Sequence, residues 1–335
     1  MTMPFTKAPE DMTQTWLSPL SATDERRPRP SARLVLALLV VANTACVTFP
    51  RASVPPSQPG ADAEWIAARD GQRLFSTWQR PAEVRGVVWY VVGPECGSAA
   101  LYPQLTRALL SQGYVVTTFH PRGSGFSPGE RGDVDADAFL DDFRAFHDEI
   151  SRQYPSLPLV LLGHSAGAAF ALELGARTKP DAVILVNAAY RLRATEGMTP
   201  TFGQYLTYAA NLIFRPRVLT VDMNSDPSAI AFGPDRDEGL ALQRDPLVVR
   251  YFSMRMLLAQ QRVMERCAEN VARLEAPVLI IEGAHDALVD PAGNDELVAR
   301  AKAKGSKKHV ASDGGHGSSA VETSVEAIVD WLRQH

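Results

Sequence analysis

The segment Gly163–Gly167, which reads Gly-His-Ser-Ala-Gly, limits what this 335-residue chain can fold into more than any other feature. It follows the short apolar run 157–162, which predicts a buried strand, and precedes an Ala- and Leu-rich stretch, which predicts a helix. A G-x-S-x-G sequence between a strand and a helix is typical of a nucleophile elbow, a turn so sharp that only small residues fit beside the serine. We therefore predict that Ser165 is a nucleophile lifted above the carboxyl end of a strand.

Beyond residue 63 the chain alternates apolar runs with amphipathic stretches, which predicts an α/β fold with a mostly parallel central sheet and flanking helices. The alternation stops between Tyr190 and Arg266, where apolar residues first recur at helical spacing. We expect a helical cap there, at about 191–266, inserted after the sixth core strand. The strands are predicted at 64–67, 74–79, 86–92, 115–119, 157–162, 182–187, 278–282 and 308–311.

The first 62 residues predict a leader and a tether. A nine-residue apolar run at 34–42 follows four arginines and precedes small residues ending at Cys46. The run is too short to span a bilayer of ~30 Å but suits an export signal. We predict an export signal at 1–45, a Pro-rich tether at 46–62 and the enzyme domain at 63–334. Cys46 resembles the acylated cysteine of bacterial lipoproteins, which would attach the protein to a membrane of the cell envelope; the alternative is an ordinary thiol.

Charge and cysteine spacing exclude two classes of function. The formal net charge is −4 and no long basic run occurs, so nucleic acid is not an expected partner. The three cysteines, Cys46, Cys96 and Cys267, lie far apart, which argues against a structural zinc site and against a disulfide framework.

A serine hydroxyl attacks only when a base takes its proton and an acid holds that base in the right tautomer. In folds with this elbow the chain order is serine, acid, histidine. His316 lies in a Gly-rich loop between the last predicted strand and the last predicted helix, and we predict that it is the base. Asp286, just after the strand predicted at 278–282, is the predicted acid, and Asp290 is the alternative.

The negative charge that develops on a reacting carbonyl oxygen is usually met by two backbone N–H groups. Ala166, the residue after the serine, is predicted to supply one. The other should come from the loop after the strand at 86–92, where Pro94 has no N–H, so Glu95 or Cys96 is the candidate. Such a site needs neither a metal nor an organic cofactor.

Further motifs accompany the elbow: Tyr-Pro-x-Leu-Pro at 154–158, Gly-Ser-Gly-Phe-Ser-Pro-Gly-Glu-Arg-Gly at 123–132, Asp-Pro-Leu-Val at 245–248, and Gly283-x-x-Asp286 with Gly315-His316. With them, about residues 63–334 resemble the monoacylglycerol lipase and lysophospholipase branch of the α/β-hydrolases, often catalogued under the serine aminopeptidase S33 domain. The resemblance implies the α/β-hydrolase fold, with Ser165, Asp286 and His316 as nucleophile, acid and base.

The chain departs from that family near the predicted oxyanion loop. The family usually has His-Gly where this chain has Val92-Gly93 followed by Pro94, and it usually has Asp and His where His120 and Ser124 stand. These departures bear on substrate choice and rate more than on the triad.

We expect a serine ester hydrolase that works through an acyl-enzyme on a small acyl ester or lipid, a monoacylglycerol or a lysophospholipid. A peptidase or an acyltransferase could use the same triad. A non-catalytic exported binding protein is the remaining alternative, and its support is the altered segment 92–94.

Overall fold

The computed structural model describes residues 62–95, 102–193, 202–222 and 232–335. The predicted export signal, Cys46 with nearly all of the tether, and Cys96 lie outside these residues, and the interpretations placed on them stay predictions. Within the described ranges, no helix has the length and apolar character needed to cross a membrane.

The strands of the described chain include all eight that the sequence predicts and two more. In chain order they are β1 (Ala63–Ala67), β2 (Arg73–Gln79), β3 (Gly86–Val91), β4 (Tyr114–Phe119), β5 (Leu159–His164), β6 (Ala182–Val186), β7 (Leu219–Asp222), β8 (Tyr251–Ser253), β9 (Val278–Gly283) and β10 (Lys307–Ala311).

Eight of these strands form one sheet in the order β1-β2-β4-β3-β5-β6-β9-β10. The pairs β1–β2 and β2–β4 are antiparallel, whereas β4–β3, β3–β5, β5–β6, β6–β9 and β9–β10 are parallel. The predicted mostly parallel sheet is therefore confirmed. In a sheet of this kind the carboxyl ends of the parallel strands share one edge, where ligands bind.

The central strands are apolar throughout because both faces of the sheet are covered. All six residues of β3 are buried, and alternate side chains join different clusters: Trp89 packs into one and Val88 into the other. The helices of the described chain are α1 (Pro103–Ser111), α2 (Ala136–Gln153), α3 (Ala166–Thr178), α4 (Phe202–Phe214), α5 (Arg236–Arg244), α6 (Met254–Glu265), α7 (Cys267–Arg273), α8 (Pro291–Arg300), α9 (Ser319–Glu322) and α10 (Val325–Leu332).

Helices pack on both faces of the sheet and produce three layers. On one face, α2 presents Phe143 and Phe146 to Trp89, with ring centroids 6.0 and 5.0 Å apart. On the other face, Leu105 of α1 and Trp331 of α10 belong to the same buried cluster. The layering leaves the carboxyl edge of the sheet for the segment inserted after β6.

That inserted segment is the cap, and it is not purely helical. It carries α4, α5 and α6, but β7 and β8 pair antiparallel within it, which the sequence analysis missed because strands of four and three residues show no usable period. Asp133 of the body accepts hydrogen bonds from Arg255 and Arg217 of the cap. Burial opposes ionisation of Asp133, but the bonds from Arg255, Ser253 and Arg217 hold its pKa below the ordinary value, so a carboxylate joins body and cap.

Candidate active site

Ser165 lies on the turn between β5 and α3, at the carboxyl edge of the sheet. Its φ is 52° and its ψ is −121°, a backbone conformation that residues with a Cβ rarely adopt. A Cβ on Gly163 would clash with the carbonyl of Gly167, and a Cβ on Gly167 would clash with the carbonyl of Val91. The two glycines therefore let the chain turn tightly enough to lift the serine hydroxyl above the sheet.

Three of the residues singled out in the sequence meet at this turn. The Nε2 atom of His316 lies 3.0 Å from Oγ of Ser165, and its Nδ1 atom lies 2.8 Å from Oδ2 of Asp286. His316 and Asp286 are both buried. When Nδ1–H donates to the carboxylate, Nε2 carries a lone pair that accepts from the serine hydroxyl. The arrangement can move a proton from Ser165 to His316.

Hydrogen bonds to the second carboxylate oxygen of Asp286 fix the orientation of this side chain. Oδ1 accepts hydrogen bonds from the N–H groups of Leu288, at 2.7 Å, and of Val289, at 2.9 Å. Burial raises the pKa of this carboxyl, but the contacts with His316 and the two N–H groups outweigh burial and hold the pKa below its usual range. The alternative acid, Asp290, instead caps α8 through the N–H of Ala292. The structure thus places Asp286, and not Asp290, against the imidazole.

Two further residues hold the loop of His316, and the sequence analysis did not assign them. Nε2 of His164 donates to the carbonyl of His316 at 2.6 Å. Burial lowers the pKa of His164 to about 3, so this side chain is neutral. Asn187 donates from Nδ2 to the carbonyl of Gly315 and accepts at Oδ1 from the N–H of Gly283, each at 2.8 Å. Asn187 therefore joins the strand before the acid to the loop of the histidine.

The two predicted oxyanion donors, the N–H groups of Ala166 and Glu95, have different surroundings in the structure. Ala166 is the first residue of α3, so its N–H is one of the helix N-terminal donors that have no acceptor within the helix. Glu95 is different, because its own carboxyl accepts a hydrogen bond from its backbone N–H. Oε1 of the same carboxyl also accepts from Nε2 of Gln260 on α6, at 2.7 Å. Glu95 as second donor stays a prediction, and it requires that this carboxyl turn away.

Two of the departures from the family pattern, Ser124 and His120, support the backbone at Pro94. Oγ of Ser124 donates to the carbonyl of Pro94 at 2.8 Å. Nδ1 of His120 accepts from the N–H of Phe126 at 3.0 Å, and burial lowers the pKa of His120 to about 4. The histidine is neutral and holds the turn that carries Ser124. Both residues therefore act as supports for the backbone around the site.

We expect Glu95→Gln to stabilise the protein at alkaline pH. Burial raises the pKa of Glu95, and the hydrogen bonds from its own N–H and from Gln260 only partly oppose that effect. As pH rises above the unfolded value near 4.5, the unfolded chain releases the proton first, so the wild type loses stability up to the raised folded pKa. Glutamine does not titrate.

Thermal unfolding at acid and alkaline pH checks this expectation. The melting temperature of Glu95→Gln minus that of the wild type should increase with pH. Glu83→Gln is the control, because the Glu83 side chain is 86% exposed. A difference that stays constant with pH would contradict a raised pKa of the Glu95 carboxyl in the folded protein.

Residues 82–320 match the family model described as serine aminopeptidase, S33. The match covers more than half of the chain. The chain belongs to this family. Human monoglyceride lipase is 28% identical to it over 256 residues, which span 75% of this chain and 82% of the human protein. The monoacylglycerol lipase of Mycolicibacterium smegmatis is 26% identical over 230 residues, which span 68% of this chain and 79% of the relative.

Solved structures agree with this S33 family assignment at the level of the fold. A soluble variant of the monoglyceride lipase of Saccharomyces cerevisiae superimposes with a TM-score of 0.68 at 21% identity, covering 86% of this chain and 99% of the yeast chain. The monoacylglycerol lipase of Paleococcus ferrophilus gives 0.63 at 24% identity, covering 78% and 99%. The protein is a serine ester hydrolase in the monoacylglycerol lipase-like branch of the α/β-hydrolases.

Proposed function

We propose that this S33 family member hydrolyses carboxylic esters through an acyl-enzyme formed on Ser165, and that its substrate is a monoacylglycerol or a lysophospholipid. One observation carries the mechanism: the unbroken hydrogen-bonded chain from Ser165 through His316 to Asp286, on a strained turn at the end of β5. A serine held in this way is an activated nucleophile rather than a structural residue.

The reaction follows from the atoms that face one another. Oγ of Ser165 attacks the ester carbonyl while Nε2 of His316 takes its proton, and the Asp286 carboxylate stabilises the imidazolium that forms. The N–H of Ala166 donates to the carbonyl oxygen as it becomes negative. His316 then gives the proton to the departing alcohol, which leaves the acyl group on the serine. A water molecule, deprotonated by His316, releases the acid and restores Ser165.

The substrate class rests on the cap and on the relatives. Monoglyceride and monoacylglycerol lipases are the names of the relatives that align with most of this chain. Helix α4 of the cap is unusually apolar on its exposed side, which suits a protein that takes an acyl chain from a lipid. The large hydrophobic residues exposed on this helix are Phe202, Tyr205, Leu206, Ile213 and Phe214.

We also propose that the protein is exported and anchored in the cell envelope through an acylated Cys46. The apolar run at 34–42 and the small residues before the cysteine support this proposal. Labelled palmitate should enter the wild type and should be absent from Cys46→Ser. Labelling that survives in Cys46→Ser would contradict the anchor.

Hydrolysis of p-nitrophenyl esters from acetate to palmitate, together with a monoacylglycerol, a lysophospholipid and a peptide p-nitroanilide, tests the proposed function. We expect turnover of the esters, an optimum at medium or long acyl chains, and labelling of Ser165 by a fluorophosphonate. Faster cleavage of the p-nitroanilide than of any ester would favour a peptidase. Inertness toward every ester and toward the fluorophosphonate would favour a binding protein.

A further inference from the structure

The loop that carries His316 receives its hydrogen bonds from the cap. The N–H groups of five successive residues, 315–319, all have acceptors, and four of the five acceptors come from one cap segment, Phe232–Glu238. The N–H of His316 itself donates to the carbonyl of Phe232 at 3.1 Å. The Phe232 ring stands edge-on to the imidazole, with 5.1 Å between ring centroids. The cap therefore contacts both the backbone and the ring of this histidine.

Two carboxylates of that segment make most of these bonds. Asp235 accepts from the N–H of Gly317 at 2.8 Å, from the N–H of Ser319 at 3.3 Å and from the Ser319 hydroxyl at 2.7 Å. Glu238 accepts at Oε2 from the N–H of Ser318 at 2.9 Å and from its hydroxyl at 2.6 Å. Within the described ranges the partners of these two carboxylates are therefore the amides and serine hydroxyls of the loop.

The glycines beside His316 allow this close approach. A Cβ on Gly315 would clash with the carbonyl of Phe232 and lie 2.5 Å from Oδ2 of Asp235. A Cβ on Gly317 would lie 2.7 Å from Cβ of Asp235 and 2.8 Å from Oε2 of Glu238. Every one of these contacts is shorter than a real Cβ tolerates. Glycine on both sides of His316 therefore leaves room for the carbonyl of Phe232 and for the side chains of Asp235 and Glu238.

We infer that Asp235 and Glu238 are positioning residues for His316: these cap carboxylates hold the Gly-rich loop so that Nε2 faces Ser165. The inference rests on the proposed function. A loop with glycines on both sides of the histidine has little conformational preference of its own, and the body holds it at the carbonyls of Gly315 and His316, through Asn187 and His164. The cap supplies the acceptors for four of the five N–H groups at 315–319. Reacting groups must be held within a fraction of an ångström, so a loosened loop slows catalysis.

Alanine variants of both residues, together with the isosteric Glu238→Gln, test the inference. Hydrolysis of p-nitrophenyl acetate is measured per active site, with sites counted by burst titration, so that any loss of folded protein is removed from the rate. Asp235→Ala with Glu238→Ala should lower kcat about 10- to 100-fold with KM changed less than about threefold, because positioning of the base is lost and binding of a small ester is not.

Activity that is kept in a conservative variant distinguishes a positioning role from a merely structural one. Glu238→Gln keeps an oxygen for both Ser318 contacts and should stay within about twofold of the wild type, whereas Glu238→Ala should not. Asp237→Ala is the matched control, since Asp237 is an exposed acid on the same turn of α5. If the double variant does not fold, the two single alanine variants carry the test.

The inference is overturned if the alanine variants keep the wild-type kcat per active site, or if only KM changes. It is also overturned if Glu238→Gln is as slow as Glu238→Ala. Failure of the proposed function is distinguishable, because then either the wild type would hydrolyse no ester or hydrolysis would persist in Ser165→Ala.

Discussion

Ser165→Ala is expected to abolish ester hydrolysis while leaving the fold intact. Oγ of Ser165 is the atom that His316 faces at 3.0 Å, and no other hydroxyl takes that hydrogen bond among the described residues. Removing the nucleophile of a hydrogen-bonded triad costs roughly 10⁶-fold in kcat, because water must then attack without the covalent step. The melting temperature should change little, since one hydroxyl is removed and Ala166, Asp286 and the glycines of the elbow stay.

The measurement is the hydrolysis of p-nitrophenyl esters by purified wild type and Ser165→Ala, with thermal unfolding and fluorophosphonate labelling on the same samples. Ser312→Ala is the control, because Ser312 is an exposed serine in the loop after β10 and has no part in the triad. It should hydrolyse at the wild-type rate. Residual activity of Ser165→Ala within tenfold of the wild type would rule out the acyl-enzyme on this serine.

The fold could be predicted from the sequence because its strongest signals are local. Buried parallel strands are short apolar runs, and all eight strands of the sheet were located to within two residues at each end. The largest shift is at β5, predicted at 157–162 and found at Leu159–His164, because Pro158 has no N–H for the ladder while Gly163 and His164 continue the pairing with β6. The nucleophile, base and acid could be proposed because the fold family fixes their order along the chain.

What the sequence could not predict depends on contacts between distant segments. Asn187 and His164 hold the His316 loop through hydrogen bonds to backbone carbonyls, which leave no motif in the sequence. Asp235 and Glu238 meet that loop across about 80 residues, from a part of the cap in which no motif marks them. The bond between Glu95 and its own N–H is a choice of side-chain rotamer, which no spacing reveals.

Asp286→Asn is expected to lower kcat by about 10⁴-fold at neutral pH, the second largest effect among these variants. Oδ1 would keep the N–H bonds from Leu288 and Val289, which turns the new amide nitrogen toward Nδ1 of His316. An amide N–H can donate only to an unprotonated Nδ1, so the imidazole would hold its proton on Nε2. That tautomer presents a donor to Ser165 where catalysis requires an acceptor.

Asp290→Asn is the matched control for this variant. Asp290 was the alternative acid, but its side chain bonds to the N–H of Ala292, whereas that of Asp286 bonds to His316. Asparagine is also a good helix N-cap, so Asp290→Asn should keep both the start of α8 and the hydrolysis rate. Comparing kcat of the two variants on p-nitrophenyl butyrate decides between the carboxylates. Equal losses would mean that His316 needs both carboxylates, whereas a loss only in Asp290→Asn would contradict the assignment of Asp286. Because kcat of Asp286→Asn falls through the tautomer and not through binding, its KM should stay near the wild-type value.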